Sequence, residues 1–83
     1  MTEAELFTHP TCSGCQEALT ALRALEREGR ISLVVTSLGS PSGRRRASDA
    51  GVRVVPTVRI GASYQLLASP EDLKALVAEL TAG

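Results

Sequence analysis

Eighty-three residues, with nine basic side chains balancing nine acidic ones and 43% hydrophobic content, describe one small α/β-sized domain, residues 1–83, with room for a single modest core. Phe7 and Tyr64 are the only aromatic residues, which excludes nucleic-acid binding by base stacking. No apolar run reaches the length of a membrane span, and the acidic start Met1-Thr2-Glu3-Ala4-Glu5 lacks a secretory pattern, so a cytoplasmic protein is expected, with no membrane and no nucleic acid among its partners and most simply a monomer.

Ala4 to Thr8 reads as a short strand, ended by His9-Pro10, because proline cannot donate to a ladder and restricts the residue before it. The strand delivers the chain to Cys12-Ser13-Gly14-Cys15. From Ser13 to Glu28 the apolar positions Ala18, Leu19, Leu22 and Leu25 recur at helical spacing, and Gly29 supplies a left-handed stop. Ile31 to Val35 is β-branched and apolar on both faces, which predicts a buried central strand parallel to the first and so a right-handed βαβ unit.

Ser37 to Gly43 reads as a Gly/Ser/Pro loop, followed by a small helix from Arg44 to Ala50 that ends at Gly51. Pro56 to Ile60 and Tyr64 to Leu67 are short strands whose separation by Gly61-Ala62-Ser63 suits a hairpin. Ser69 caps a last helix, with Pro70 at its first position, Asp72 three residues after the cap, and Leu73, Leu76, Val77 and Leu80 on one face.

The two cysteines are the only ones in the chain. At the first turn of a helix, unpaired N–H groups and the helix dipole favour a thiolate over a thiol. In a reducing compartment a lone close pair is catalytic or metal-binding more often than a structural staple. The catalytic reading is dithiol exchange, in which Cys12, at the helix tip, attacks a substrate disulfide and Cys15, one turn inward, resolves the mixed disulfide; the metal reading uses the same two thiolates.

The order of elements, with Cys-x-x-Cys opening the first helix, resembles the thioredoxin fold in its minimal, glutaredoxin-like size: a four-stranded mixed sheet flanked by helices, βαβαββα. Phe7-Thr8-His9-Pro10-Thr11-Cys12 is similar to the glutaredoxin approach to the active site, and Ala50-Gly51-Val52-Arg53-Val54-Val55-Pro56-Thr57-Val58 to the thioredoxin stretch that leads into a cis-proline. The resemblance implies a disulfide oxidoreductase with catalytic Cys12 and Cys15. It also implies a substrate-binding set of Thr11, Ser13, Gly14, Val55, Pro56 and Thr57, in which the Val55 backbone pairs with an extended substrate segment. Implied partners are protein disulfides and, as electron donor, a thioredoxin-reductase-like flavoenzyme or glutathione; no cofactor and no metal are expected.

The chain departs from these families in having Ser13-Gly14 between the cysteines and Thr11 where thioredoxins place tryptophan. Leu6 stands at the thioredoxins' buried acid, and Leu66-Leu67-Ala68-Ser69-Pro70-Glu71-Asp72 replaces the Gly-Gly and Asp that glutaredoxins present to glutathione. Thr11-Cys12-Ser13-Gly14-Cys15 also resembles the loop of heavy-metal-associated domains, which makes a Cu(I) carrier the alternative, although those domains run βαββαβ. His9 reads as a loop histidine near enough to modulate the thiolate. Arg44-Arg45-Arg46 reads as a solvated face, with a docking patch for an acidic reductase or a glutathione carboxylate as the alternative. Phe7 and Tyr64 are expected in or near the core.

Overall fold

Residues 2–82 are described by the computed structural model, so Met1 and Gly83 of the expected domain lie outside the described residues. The elements follow the order β1 (Thr2–Thr8), α1 (Ser13–Arg27), β2 (Ile31–Ser37), α2 (Pro41–Ala50), β3 (Thr57–Ile60), β4 (Ser63–Leu66) and α3 (Pro70–Ala82). They build one four-stranded mixed sheet in the order β2-β1-β3-β4. Strand β1 is central: Leu6 stands opposite Val35 in parallel β2 and opposite Val58 in antiparallel β3. The β3–β4 hairpin pairs Arg59 with Tyr64 and turns through Gly61.

The parallel pairing of the first two strands matches the sequence, but the position of β2 corrects it. β2 is an edge strand, not a central one. Ile31 and Leu33 are buried while Ser32 and Val34 are exposed, so its apolar character on both faces does not mean burial on both.

Helix α2 also begins earlier than Arg44. The Ser40 hydroxyl caps it by accepting the Gly43 N–H at 3.0 Å, and Pro41, which has no N–H to lose, occupies its first turn. Gly43 lets this turn lie against the end of β2, since a β-carbon there would fall 1.7 Å from the Ser37 carbonyl oxygen. Gly51, at φ 76°, ends the helix in the left-handed conformation that glycine adopts at least cost.

Alternation along β1 sends Ala4 and Leu6 to one face of the sheet and Glu5 and Phe7 to the other. On the first face Leu6 packs with Ala18, Leu22 and Leu25 of α1, Leu33 of β2, Val58 of β3 and Leu76 of α3, an apolar core. The second face, under α2, holds the smaller cluster of Phe7, Ala47 and Val52 beside the carboxylate of Glu5, which is 4% exposed. Tyr64 tilts against buried Phe7 with ring centroids 6.3 Å apart and stays 45% exposed, at the margin of the core and not inside it.

Candidate active site

Pro10 ends β1, and the chain turns so that the Cys12 N–H donates to the His9 carbonyl at 3.0 Å. Thr11 stiffens that turn by donating its N–H to His9 Nδ1 at 3.2 Å, with its hydroxyl 2.9 Å from the same nitrogen. Nδ1 is therefore an acceptor in this arrangement, and His9 is half-buried and engaged, not a free loop side chain. Cys12 becomes the N-cap of α1, where its Sγ accepts the Cys15 N–H at 3.2 Å. A helix N-terminus stabilises negative charge at that sulfur.

Cys12 and Cys15 are joined as a disulfide across a Cα–Cα separation of 5.4 Å, so the structure describes the oxidised pair. The two sulfurs are not equivalent. Cys15 is 4% exposed beneath the helix tip, whereas Cys12 is half-buried and borders an open groove of about 800 Å³.

Thr11, Ser13 and Gly14 form one wall of this groove with Cys12, and Val55 and Pro56 form another. The Val55–Pro56 peptide is cis, and the Pro56 ring faces Gly14, where an added β-carbon would meet its Cγ and Cδ at 3.9 Å. That is ordinary contact, so a small side chain fits where Gly14 stands. Among the described residues, the Val55 N–H and carbonyl enter no main-chain hydrogen bond.

Thr57 does not reach the groove. It is 8% exposed, and its hydroxyl donates to the Val54 carbonyl at 2.6 Å, which shapes the approach to Pro56 from behind. The remaining wall was not anticipated: Leu67, Ala68, Ser69 and Pro70 run along it, with Leu73 and Glu17 at its sides. Its conformation is set by the predicted cap. The Ser69 hydroxyl accepts the Asp72 N–H at 3.3 Å, and the Asp72 carboxylate accepts the Ala68 N–H at 2.9 Å. Glu17 is the only charged carboxylate, ammonium or guanidinium residue among those lining the groove.

Behind the site lies a buried carboxylate, Glu5, that no local motif marks. Arg46 donates from Nη2 to its Oε1 at 2.8 Å and from Nε to its Oε2 at 3.2 Å, Arg59 Nε donates to Oε1 at 3.2 Å, and Thr36 donates its hydroxyl to Oε2 at 2.6 Å. Burial works to raise the Glu5 pKa, but the hydrogen bonds from Thr36, Arg46 and Arg59 outweigh it and hold the carboxyl below its ordinary range. Leu6 is indeed not an acid, yet a buried acid stands one residue earlier on the opposite face. The arginine run is correspondingly divided. Arg46 binds Glu5 and lies 5.8 Å from the Phe7 ring centroid, Arg44 reaches the carbonyls of Leu38 and Gly39, and Arg45 is exposed, so the three do not form one patch.

Among the described residues no helix is long and apolar enough to cross a membrane, and no three His, Cys, Asp or Glu side chains gather as a metal site. The order βαβαββα differs from the βαββαβ of heavy-metal-associated domains, so that resemblance is confined to the cysteine loop.

No family model matches the chain. A protein of Archaeoglobus fulgidus described as a probable thioredoxin is 28% identical over 85 residues, covering 100% of this chain and 93% of its own length. Among solved structures, thioredoxin f2 of Chlamydomonas reinhardtii superposes with a TM-score of 0.74 at 18% identity, covering 94% of this chain and 77% of its own. Glutaredoxin 1 of Francisella tularensis, solved with cacodylate, does so with a TM-score of 0.66 at 16% identity over 100% of both chains. The architecture this chain shares with the two solved structures is the thioredoxin-like fold, a mixed four-stranded sheet flanked by helices.

Proposed function

We propose that this chain, a thioredoxin-fold superfamily protein with a thiol–disulfide pair at Cys12 and Cys15, reduces protein disulfides as a dithiol electron carrier. The observation that carries the reading is the asymmetry of the pair: Cys12 Sγ sits at a helix N-cap on an open groove, and Cys15 lies sealed beneath it. In the reduced protein the Cys12 thiolate attacks one sulfur of a substrate disulfide. The substrate S–S bond breaks, a mixed disulfide forms, and the first substrate thiolate leaves and takes up a proton. Cys15, deprotonated, then attacks Cys12 Sγ and expels the second substrate thiol. Two electrons and two protons pass to substrate, and the protein is left in the disulfide form described here.

The free N–H and carbonyl of Val55 support docking of an extended substrate segment as an added strand, with Pro56 and Gly14 shaping the approach and Thr11 and Ser13 at its edge. Thr57 serves this site by holding Val54, not by touching substrate. The groove favours a peptide over glutathione as the usual occupant. It offers no ammonium or guanidinium group to a carboxylate, the His9 imidazole on its rim is engaged by Thr11, and the Glu17 carboxylate repels one. We place the protein in the cytoplasm, where thiols are kept reduced, and assign its re-reduction to a thioredoxin-reductase-like flavoenzyme.

Insulin reduction driven by NADPH, with thioredoxin reductase in one arm and with glutathione plus its reductase in the other, tests the assignment. Sustained turnover in the first arm and slow turnover in the second are expected. The reverse ranking would transfer the donor role to glutathione, and no turnover in either arm would refute the carrier function.

A further inference from the structure

We infer that Glu5 is a positioning residue for the segment that receives substrate, acting through the two arginines that bracket that segment. Arg46 precedes the stretch Ala47–Val58 and Arg59 follows it, and both guanidinium groups close on Oε1 of the same carboxylate. Oε2 is filled by Arg46 Nε and the Thr36 hydroxyl. These bonds converge on a side chain only 5% exposed, where losing a charged partner is costly, so the carboxylate ties both ends of the stretch to one point on β1.

Val55 and Pro56 lie inside this stretch, and the Pro56 ring faces Gly14, so the seating of the stretch sets the opening of the groove beside Cys12. Its far end is also held by the β3 ladder, which pairs Thr57 and Val58 with Phe7 and Leu6 of β1, but between Arg46 and Pro56 its other ties are lighter: Ala47, Val52 and Val55 against Phe7, and the Leu67 N–H on the Pro56 carbonyl. Glu5 is not among the residues lining the groove, so its influence must travel through Arg46 and Arg59.

The inference rests on the reading that Val55 and Pro56 receive substrate, and its test separates that docking from the chemistry at Cys12. Steady-state kcat and KM are measured for a disulfide-bonded peptide with dithiothreitol as the electron source. In parallel, the reduced protein reacts with dithiodipyridine, a small uncharged disulfide that reaches Cys12 without a docked segment. Wild type, Glu5→Gln, Arg46→Met and Thr36→Val are compared at a temperature at which each unfolding curve shows a folded protein.

The peptide KM is expected to rise about tenfold or more in Glu5→Gln, less in Arg46→Met and least in Thr36→Val, while the dithiodipyridine rate stays within about twofold of wild type throughout. Arg46→Met keeps an apolar stem over Phe7 and leaves Glu5 its bonds to Arg59 and Thr36, so it decides the matter if Glu5→Gln does not fold. A folded Glu5→Gln or Arg46→Met with wild-type peptide KM overturns the inference, as does an equal loss with both reagents, which marks a merely loosened fold. Failure of the wild type to reduce either reagent would instead defeat the carrier function and this inference with it.

Discussion

Leu6 and Glu5 are consecutive residues of one central strand, 0% and 4% exposed, yet the two sides of the sheet they serve are held by different forces. Leu6 joins an apolar cluster fed by α1, α3 and three strands, where cohesion comes from area removed from water and from close packing. Glu5 gathers Thr36, Arg46 and Arg59 from β2, α2 and β3 into one hydrogen-bonded charge cluster beside a small apolar patch. The first arrangement tolerates neither lost volume nor added polarity, but it is indifferent to pH. The second responds to the charge of a single carboxyl group.

The largest difference is expected at Leu22, which is 0% exposed at the centre of the apolar face. Leu22→Ala should lower unfolding free energy by about 2–5 kcal/mol, measured by urea titration, with little dependence on salt or on pH between 4 and 8, roughly the range in which only carboxylates and histidine titrate. A strong pH dependence of that loss would break the contrast between the faces.

Glu5→Gln comes next, with an expected loss of about 1–3 kcal/mol at neutral pH. Because the folded pKa of Glu5 lies below its unfolded value, its stabilisation is fully present above the unfolded pKa and fades as pH falls through the folded one. Stability of the wild type should therefore drop towards that of Glu5→Gln on acidification below the ordinary glutamate range. Parallel pH profiles for the two proteins would remove Glu5 from the account. The smallest effect is expected at Arg45, which is exposed and has no hydrogen-bond or ion-pair partner among the described residues. Arg45→Ala should change stability by less than about 0.5 kcal/mol, and a larger change would mean that the arginine run acts as a unit.

The two faces also differ in how far the sequence discloses them. Ala18, Leu22 and Leu25, and Leu73, Leu76 and Val77, repeat at the helical period, so the apolar face and the helices that cover it follow from local pattern. Ser69-Pro70 marks the start of α3 for a local reason as well. Ser40-Pro41 carries the same signal for α2, but the surrounding Gly and Ser residues disguise it as loop, and three residues of helix were missed there. The status of β2 as an edge strand depends on how many strands lie beyond it, which no pattern within Ile31–Val35 contains.

Glu5 was illegible for a stronger reason. An acidic residue between apolar neighbours in a strand ordinarily faces water, and its partners Thr36, Arg46 and Arg59 lie 31, 41 and 54 residues away. At the site itself, the cysteine pair and the Val55-Pro56 approach are local motifs and were readable. The wall from Leu67 to Pro70 becomes part of the groove only when β4 brings α3 beside α1.

Trapping distinguishes Cys12 as the attacking sulfur from Cys15 as the resolving one. Reduced Cys15→Ser and Cys12→Ser variants are mixed with a disulfide-bonded protein substrate at neutral pH, and mixed disulfides are resolved on a non-reducing gel and identified by mass. A stable adduct through Cys12 is expected in Cys15→Ser and none in Cys12→Ser. Equal trapping by both variants, or trapping through Cys15 alone, would contradict that assignment of roles.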